Sequence, residues 1–254
     1  MKRSILALVT AAVFAGSAGA ITNGVPDGDA HPYVGAASSG HWGCSGTLLS
    51  PTVFLTAGHC TDLFASTGES TYVTVDPNAG PSSVYVTGTP YTEPGFFNIA
   101  PQGVGVPASI GNDLGVIVLD QPIQLSSYGQ LPGAGSLTGP GVALTAVGYG
   151  AQDWMPAPHG HVPLYTFVRT RADVSLINDA NAVGDEFARL STNPGGGKGG
   201  LGPGDSGAPA FFAGTSTIAA IGSHVTNPNG AGTAYFSRLD AAAALAFITP
   251  FLGS

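Results

Sequence analysis

The segment GCSGTLLSPTVFLTAGHC (Gly43–Cys60) decides how this chain folds. Within it, Thr47–Ala57 holds two apolar runs on either side of Ser50-Pro51. A small polar residue followed by proline is typical of a turn, and two short apolar runs around a turn are typical of a β-hairpin. The segment therefore predicts two strands that pair with each other.

Most of the remaining chain has the same character, short apolar runs broken by Gly and Pro. These runs are rich in β-branched and aromatic residues: TYVTVD, SVYVTGTPYT, DLGVIVLD, GVALTAVGYG, TFVRTRADVSLI, APAFFAG, STIAAIGSHV and TAYFSRL. Many strands without helical patterns between them indicate an all-β sandwich or barrels. One helix is expected near the end, where Asp240 would cap AAAALAFI and Pro250 would stop it.

The first twenty residues have the features of a secretory signal. Lys2 and Arg3 supply the positive start, Ile5–Phe14 the apolar run, and Ala18–Ala20 the small residues of a cleavage site. The apolar run is too short to span a bilayer, and a buried N-terminal helix is disfavoured because the run has no polar face. We therefore expect a signal peptide at residues 1–20, a mature chain that begins at Ile21, and a secreted protein without a membrane anchor.

Composition excludes some functions. Removing the two positive charges of the signal changes the formal net charge from −8 to −10. A chain this acidic should repel phosphate backbones, which argues against nucleic-acid binding. The 39 Gly and 20 Pro could suggest disorder, but 43% hydrophobic residues can build a sizeable core.

Cys44 and Cys60 are the two cysteines of the sequence. In an exported protein an even number of cysteines suggests a disulfide, and two cysteines allow one intramolecular pairing. Closing a loop of about 15 residues is worth roughly 3 kcal/mol in the chain-entropy model. A zinc site is the alternative, but two cysteines and one adjacent histidine make a poor tetrahedral ligand set. We favour the disulfide and expect no metal.

The segment GPGDSGAP (Gly202–Pro209) carries a candidate nucleophile. A serine hydroxyl is a weak nucleophile unless a base takes its proton and hydrogen-bond donors await the oxyanion. Glycines around Ser206 let backbone N–H groups point inward, and Gly204 and Ser206 are the candidates for such an oxyanion hole. By itself, Gly-Asp-Ser-Gly is also a turn sequence.

Two other segments agree with the catalytic interpretation. LTAGHC (Leu55–Cys60) places His59 beside a cysteine, so a disulfide would anchor the loop of a catalytic base. GNDLGVIVLD (Gly111–Asp120) places Asp113 just before an apolar strand, which suits a carboxylate buried behind an imidazole. With His, Asp and Ser in this order, the chain resembles the trypsin/chymotrypsin-like serine protease family (peptidase S1 type).

The resemblance extends over essentially the whole mature chain. ITNG resembles the mature N-terminus of the family, GYG (Gly148–Gly150) a turn in its second half, and GDSGAP its nucleophile loop. What it implies is two antiparallel six-stranded β-barrels with a short C-terminal helix, in one trypsin-like domain over residues 21–254. The N-terminal barrel would take about residues 21–125 and the C-terminal barrel about residues 126–254, with the site in the cleft between them.

The resemblance also implies the roles of the triad. His59 would act as general base and then general acid, Asp113 would hold its tautomer, and Ser206 would form an acyl-enzyme during peptide hydrolysis. No cofactor is expected. The implied partners are protein or peptide substrates and proteinaceous inhibitors, and a monomer is expected.

In the same family a newly freed N-terminal amine folds inward and pairs with the aspartate before the nucleophile. By resemblance these partners are Ile21 and Asp205, and their pairing would turn the Gly204 amide toward the substrate. Signal cleavage after Ala20 would then activate the enzyme directly. Cleavage after Ala18 is the alternative, and it would leave a two-residue propeptide.

The substrate pocket departs from the trypsin pattern. Gly200 stands six residues before the nucleophile, where a trypsin-type pocket has an aspartate, so we expect an apolar or aromatic P1 side chain rather than Lys or Arg. His224 lies near the position where glutamate-specific relatives use a histidine, which makes glutamate preference the alternative. An exposed loop histidine is a further interpretation of His224, and Ser223 is a candidate to support Asp113 by hydrogen bonding.

Two other classes of function fit the sequence less well. A catalytically inactive homologue that binds partners would usually lack a triad residue, whereas His59, Asp113 and Ser206 are all present. A secreted β-rich adhesin or lectin would have no reason to carry these three segments in this order. The sequence therefore favours a secreted serine endopeptidase.

Overall fold

The computed structural model describes residues 21–22, 24–99, 109–158, 160–177, 181–192, 199–226 and 232–253. The expected signal peptide at residues 1–20 lies outside the described residues. Among the residues that are described, no helix is long and apolar enough to cross a membrane.

Strands dominate both halves of the chain. The elements of the first half are β1 (Val25–Pro26), β2 (Val34–Ser39), β3 (Trp42–Ser50), β4 (Val53–Thr56), α1 (Gly58–Thr67), β5 (Thr71–Thr74), β6 (Val86–Thr92), β7 (Phe97–Asn98), β8 (Ile110–Gly111) and β9 (Gly115–Leu119). Those of the second half are β10 (Ala143–Gly148), β11 (Asp153–Ala157), β12 (Gly160–Leu164), β13 (Thr170–Leu176), β14 (Phe187–Ser191), β15 (Pro209–Phe212), β16 (Ile218–Val225), β17 (Thr233–Arg238) and α2 (Ala242–Leu252).

The first half closes into a six-stranded antiparallel barrel in the order β2-β3-β4-β9-β6-β5. The hairpin expected around Ser50-Pro51 is present, with Thr47 opposite Leu55 and Leu48 opposite Phe54. Both Leu48 and Phe54 are fully buried, so the apolar runs that defined the hairpin form the core of this barrel.

The second half forms a second antiparallel barrel. β13, β10, β15, β16, β17 and β14 pair in that order, and a further pairing of β13 with β14 closes the ring. The expected fold class, two six-stranded antiparallel barrels with a short C-terminal helix, is therefore confirmed. The strands of the two barrels lie within residues 34–119 and 143–238, and we retain a boundary near residue 125 as a proposal.

A fully buried arginine fastens the second half to the N-terminal segment and the first barrel. Arg169 donates from Nε to Asp27 at 3.2 Å, and from Nη2 to the carbonyl of Gly28 at 2.6 Å. Its Nη1 donates to the carbonyls of Val34 and Val75 at 2.9 and 3.1 Å. Removing one partner of a buried ion pair costs about 3–5 kcal/mol, so this side chain helps to fix the orientation of one barrel against the other.

The helices differ from the expectation. The sequence predicts one helix near the end, but α1 also forms, directly after the hairpin, and ends at Gly68 in the left-handed conformation with φ of 69°. In α2 the prediction about the ends was wrong. Ala241 occupies the N-cap position, Pro250 lies inside the helix, and the Asp240 carboxylate accepts from other groups, Leu137 N and the Arg238 guanidinium.

Candidate active site

His59 lies in the first turn of α1, directly after β4. The preceding Gly58 permits a close approach, because a Cβ there would lie 2.8 Å from the backbone nitrogen of Leu114. The start of α1 therefore packs against the segment that carries Asp113. The side chain of His59 remains 24% exposed, so part of the imidazole is accessible to solvent.

The imidazole of His59 and the carboxylate of Asp113 are in direct contact. His59 Nδ1 lies 2.9 Å from Oδ2 and 3.1 Å from Oδ1 of Asp113, and the His59 backbone N–H donates to Oδ1 at 2.8 Å. A carboxylate beside Nδ1 favours the tautomer that carries its proton there. The Nε2 atom is then an acceptor, as a general base requires.

Residues of the second barrel donate hydrogen bonds to Asp113. The hydroxyl of Ser223 donates to Oδ2, as the sequence suggested, and the hydroxyl of Ser237 donates to the Asp113 backbone carbonyl at 3.2 Å. Asn112 has φ of 50°, in a region that Asn tolerates better than most residues, and its backbone N–H donates to Glu186. Asp113 itself is fully buried.

His59 and Asp113 shift each other's pKa in opposite directions. Burial lowers the pKa of His59, but the charge of Asp113 and its hydrogen bond outweigh that effect, so the net pKa is raised above its ordinary value. Burial raises the pKa of Asp113, but the His59 charge and the hydrogen bonds from His59 and Ser223 outweigh it, so the net pKa is lowered. Asp113 is therefore ionised at neutral pH and stabilises an imidazolium at His59.

The predicted disulfide between Cys44 and Cys60 is confirmed, with a Cα–Cα distance of 6.4 Å. It joins β3 to the first turn of α1, next to His59. A ring nitrogen of His59 lies within 4.8 Å of both sulfurs. Because the sulfurs are bonded to each other, this group of three residues offers no thiolates to a metal.

The loop that carries Ser206 packs against the His59 segment. Gly207 has φ of 79°, and a Cβ there would lie 2.3 Å from Thr56 Oγ1 and 2.8 Å from Ala57 N. Ser206 is therefore held beside the chain that leads into His59. In the described part of the chain no hydrogen bond joins the Ser206 hydroxyl to His59, and such contacts often form only once substrate is bound.

Ser45, which the sequence analysis did not single out, fixes this loop. Its backbone N–H donates to the Ser206 carbonyl and its hydroxyl to the Gly204 carbonyl, both at 2.9 Å. The same hydroxyl accepts from Tyr149 N at 2.9 Å. The one signal in the sequence was its place directly after Cys44, which gave no reason to expect a contact 159 residues away.

Two backbone N–H groups of the loop are left free. The amides of Asp205, Gly207 and Ala208 donate to carbonyls at 3.0, 2.7 and 2.9 Å. Those of Gly204 and Ser206 have no acceptor among the residues that the structure describes. Gly204 has φ of 93°, a conformation that favours glycine. The two free donors are the pair that the sequence assigned to an oxyanion hole.

Asp205 is fully buried, and its carboxylate accepts from the backbone amides of Gly150 and Gly202 at 2.8 and 2.9 Å. Burial raises the pKa of Asp205 to about 7, although these two hydrogen bonds act against the rise. Ile21 is also fully buried. Its nitrogen is a peptide amide in the full chain, so the predicted pairing with Asp205, which needs a free amine, stays a prediction.

The three candidate pocket residues have different surroundings. Gly200 pairs with Thr22 through its backbone, and a Cβ there would lie 2.3 Å from Thr192 Cβ, so the position has no space for a larger side chain. Ser223 and His224 lie together behind Asp113. The interpretation of His224 as an exposed loop residue is wrong, because it is buried on β16.

Comparison with models of known protein families identifies the family. The model of the trypsin family matches residues 22–245. A search of curated protein sequences finds no significant match.

Several solved structures share the fold. HL collagenase is 17% identical, covers 92% of this chain and 99% of its own, and has a TM-score of 0.69. The scabies mite inactivated protease paralogue S-D1 is 16% identical over 92% of this chain and 98% of its own, with a TM-score of 0.67. Human heparin binding protein is 18% identical over 92% and 97%, with a TM-score of 0.65.

Proposed function

Because this chain belongs to the trypsin family, we propose that it is a secreted serine endopeptidase that uses His59, Asp113 and Ser206. The observation that carries the proposal is the pair of free amides at Gly204 and Ser206, in a loop held against the segment of a histidine already paired with a buried carboxylate. Two free amides that flank the buried Asp205 are the kind of donors that an oxyanion hole requires.

The proposed reaction is peptide hydrolysis in two halves. His59 Nε2 takes the proton of the Ser206 hydroxyl while its oxygen attacks the scissile carbonyl, and the free amides receive the negative charge of the tetrahedral intermediate. The imidazolium then gives its proton to the leaving amine. His59 then takes a proton from water as the water attacks the acyl-enzyme, the bond from the carbonyl carbon to the Ser206 oxygen breaks, and the imidazolium returns the proton to that oxygen as the acid leaves.

Activation is proposed to come from Ile21. The Asp205 carboxylate is fully buried, with two backbone amides as its hydrogen-bond donors and no cation beside it among the described residues. A free amine at Ile21 would supply that cation and lower the pKa of Asp205. Removal of residues 1–20 during export would create the amine, so a single cleavage would both release and activate the protein.

For the P1 side chain we favour an apolar or aromatic group. Gly200 offers no charge to a Lys or Arg side chain, and the neighbouring Leu201 is a buried apolar residue. Glutamate preference through His224 is less well supported. Burial lowers the pKa of His224 to about 4, so the imidazole is neutral at neutral pH and gives no positive charge to a carboxylate.

An inactive binding protein is the second candidate, since the structural neighbours include an inactivated protease paralogue and a heparin binding protein. Heparin is a polyanion, and a mature chain with a formal charge of −10 is a poor partner for it. The contact between His59 and Asp113 also favours the enzyme.

Covalent labelling tests the proposal. A chain that begins at Ile21 should react with a fluorophosphonate, the Ser206→Ala variant should not, and His59→Ala should react far more slowly because the hydroxyl loses its base. A wild-type chain that folds but does not label would contradict the enzyme and favour the binding protein. Cleavage of a peptide library by the unlabelled chain that begins at Ile21 then reads the P1 preference directly.

A further inference from the structure

A continuous chain of hydrogen bonds extends behind the His59–Asp113 pair. His59 Nδ1 lies 2.9 Å from Asp113 Oδ2, and the same carboxylate oxygen accepts from the hydroxyl of Ser223. The Ser223 oxygen lies 3.0 Å from Nδ1 of His224. The imidazole of His224 is therefore linked through one hydroxyl to the carboxylate that orients the proposed base.

A β-bulge makes this arrangement possible. In the pairing of β16 with β17, Gly222 lies opposite Phe236 and His224 lies opposite Tyr235, so Ser223 is an extra residue without a partner of its own. Successive side chains of a regular strand point to opposite faces, whereas a bulge redirects one of them. Ser223 and His224, although adjacent, can therefore contact each other and face the same carboxylate.

The directions of the protons follow from the partners. An ionised carboxylate only accepts, so the single proton of the Ser223 hydroxyl is donated to Asp113. The Ser223 oxygen can then only accept from His224, which places the His224 proton on Nδ1. The Nε2 atom of His224 is buried without a partner among the described residues, as fits an atom that carries no proton.

The His224 ring is held firmly and stays neutral. It stacks on Tyr235 with centroids 4.6 Å apart and planes 4° apart, and it meets the ring of Phe187 edge-on at 5.3 Å. Burial is the main reason that its pKa falls to about 4; the charge of Asp113 opposes the fall and that of His59 adds to it. Across neutral pH the ring is therefore a fixed neutral donor.

We propose that His224 is a positioning residue for the triad, acting through the Ser223 hydroxyl on Asp113. His224 Nδ1 donates a hydrogen bond to the Ser223 oxygen, and the Ser223 hydroxyl then donates its own proton to the Asp113 carboxylate. A hydrogen-bond donor fixed in this way stabilises the ionised form of Asp113. It also reduces the extent to which Asp113 raises the pKa of His59. The inference deepens the proposed function, since the role of Asp113 in catalysis rests on that proposal.

The test compares three substitutions at His224 by the NMR titration of His59, a readout that does not require activity. His224→Asn keeps a side-chain polar atom near the position of Nδ1, whereas His224→Gln moves it toward Nε2 and His224→Phe removes it but keeps a flat ring. His224→Phe and His224→Gln should raise the pKa of His59 by roughly half a unit, because the carboxylate loses a fixed donor. His224→Asn should remain close to wild type.

Repeating the His224→Phe substitution in a Ser223→Ala chain tests whether His224 acts on Asp113 through the Ser223 hydroxyl. If His224 acts through the hydroxyl, His224→Phe should shift the His59 titration in wild type and have no further effect in Ser223→Ala. In the enzyme, the acid limb of kcat/KM should move with the titration, and kcat should fall roughly three- to ten-fold at nearly unchanged KM.

Two results would overturn the inference: an unchanged His59 titration in both His224→Phe and His224→Gln, or an equal shift with and without Ser223. A substrate-contacting role would instead change KM and the preferred side chain. If the wild-type chain neither labels nor hydrolyses peptides, the proposed function fails. The His59 titration still decides whether His224 acts on the pair.

Discussion

Asp205 gives the sharpest prediction, because a buried carboxylate with a raised pKa makes stability depend on pH. Burial raises its pKa from 3.8 to about 7 in the full chain. Between these two values the folded chain binds a proton that the unfolded chain has released, so the free energy of unfolding falls as pH rises. With about 1.36 kcal/mol for each pKa unit, the loss amounts to about 4 kcal/mol by pH 7 and stays constant above it.

The experiment compares two chains that differ in two residues. One begins at Gly19 and cannot place its amine at Ile21, and the other begins at Ile21. Each is unfolded in urea across about pH 4 to 8, beside its Asp205→Asn variant, which removes the charge but keeps the shape. Because the other titrating groups are common to both members of a pair, the difference between the two curves isolates Asp205.

In the chain from Gly19 we expect wild type to lose about 4 kcal/mol relative to Asp205→Asn as pH rises. In the chain from Ile21 the loss should largely vanish, because a protonated amine beside Asp205 favours its ionised form. If the free energies of unfolding of wild type and Asp205→Asn changed in parallel with pH in the chain from Gly19, the claim of an uncompensated buried charge at Asp205 would be refuted. An equal loss in both chains would instead show that the amine does not reach Asp205.

Two further predictions concern the groups that place the proposed nucleophile and base. Gly207→Ala should abolish fluorophosphonate labelling and lower the melting temperature, because its Cβ would lie 2.3 Å from Thr56 Oγ1 at a φ of 79°. The matched control is Gly133→Ala, where a Cβ meets nothing within 4 Å, and it should change neither the labelling nor the melting temperature. Replacing both Cys44 and Cys60 by Ala should lower the free energy of unfolding in urea by roughly 3 kcal/mol, because the bridge closes a loop between residues 16 apart; an unchanged value would contradict the chain-entropy argument.

The features predictable from the sequence are those with a local signature. The hairpin at Ser50-Pro51 follows from its turn and two apolar runs, and the disulfide follows from there being two cysteines in a chain that we expect to be exported. The order of the His, Asp and Ser segments indicated the fold because the three motifs resemble one family. These signals need no knowledge of which distant residues meet.

The features that were missed are contacts between distant segments or weak local patterns. Arg169 and Asp27 are 142 residues apart, and neither has a sequence context that names the other. The helix α1 has no side-chain cap and no acidic residue in its first turn, so its start carried no signal beyond the histidine motif. Its left-handed Gly68 was an available stop signal, but a stop alone does not reveal a helix.

Asp113 and Asp205 differ in the charge beside them, and this difference bears on the proposed activation. Both carboxylates are fully buried, yet the pKa of Asp113 is lowered and that of Asp205 is raised to about 7. Apart from the imidazole, each carboxylate accepts two hydrogen bonds: Asp113 from the His59 backbone N–H and the Ser223 hydroxyl, and Asp205 from two backbone amides. Hydrogen bonding alone therefore does not separate them. The difference is the imidazole beside Asp113, for which Asp205 has no counterpart among the described residues. Asp205 therefore lacks a compensating positive charge among the described residues. It lies between the two free amides in the sequence of the loop, so an amine that paired with it would lie next to the proposed oxyanion donors.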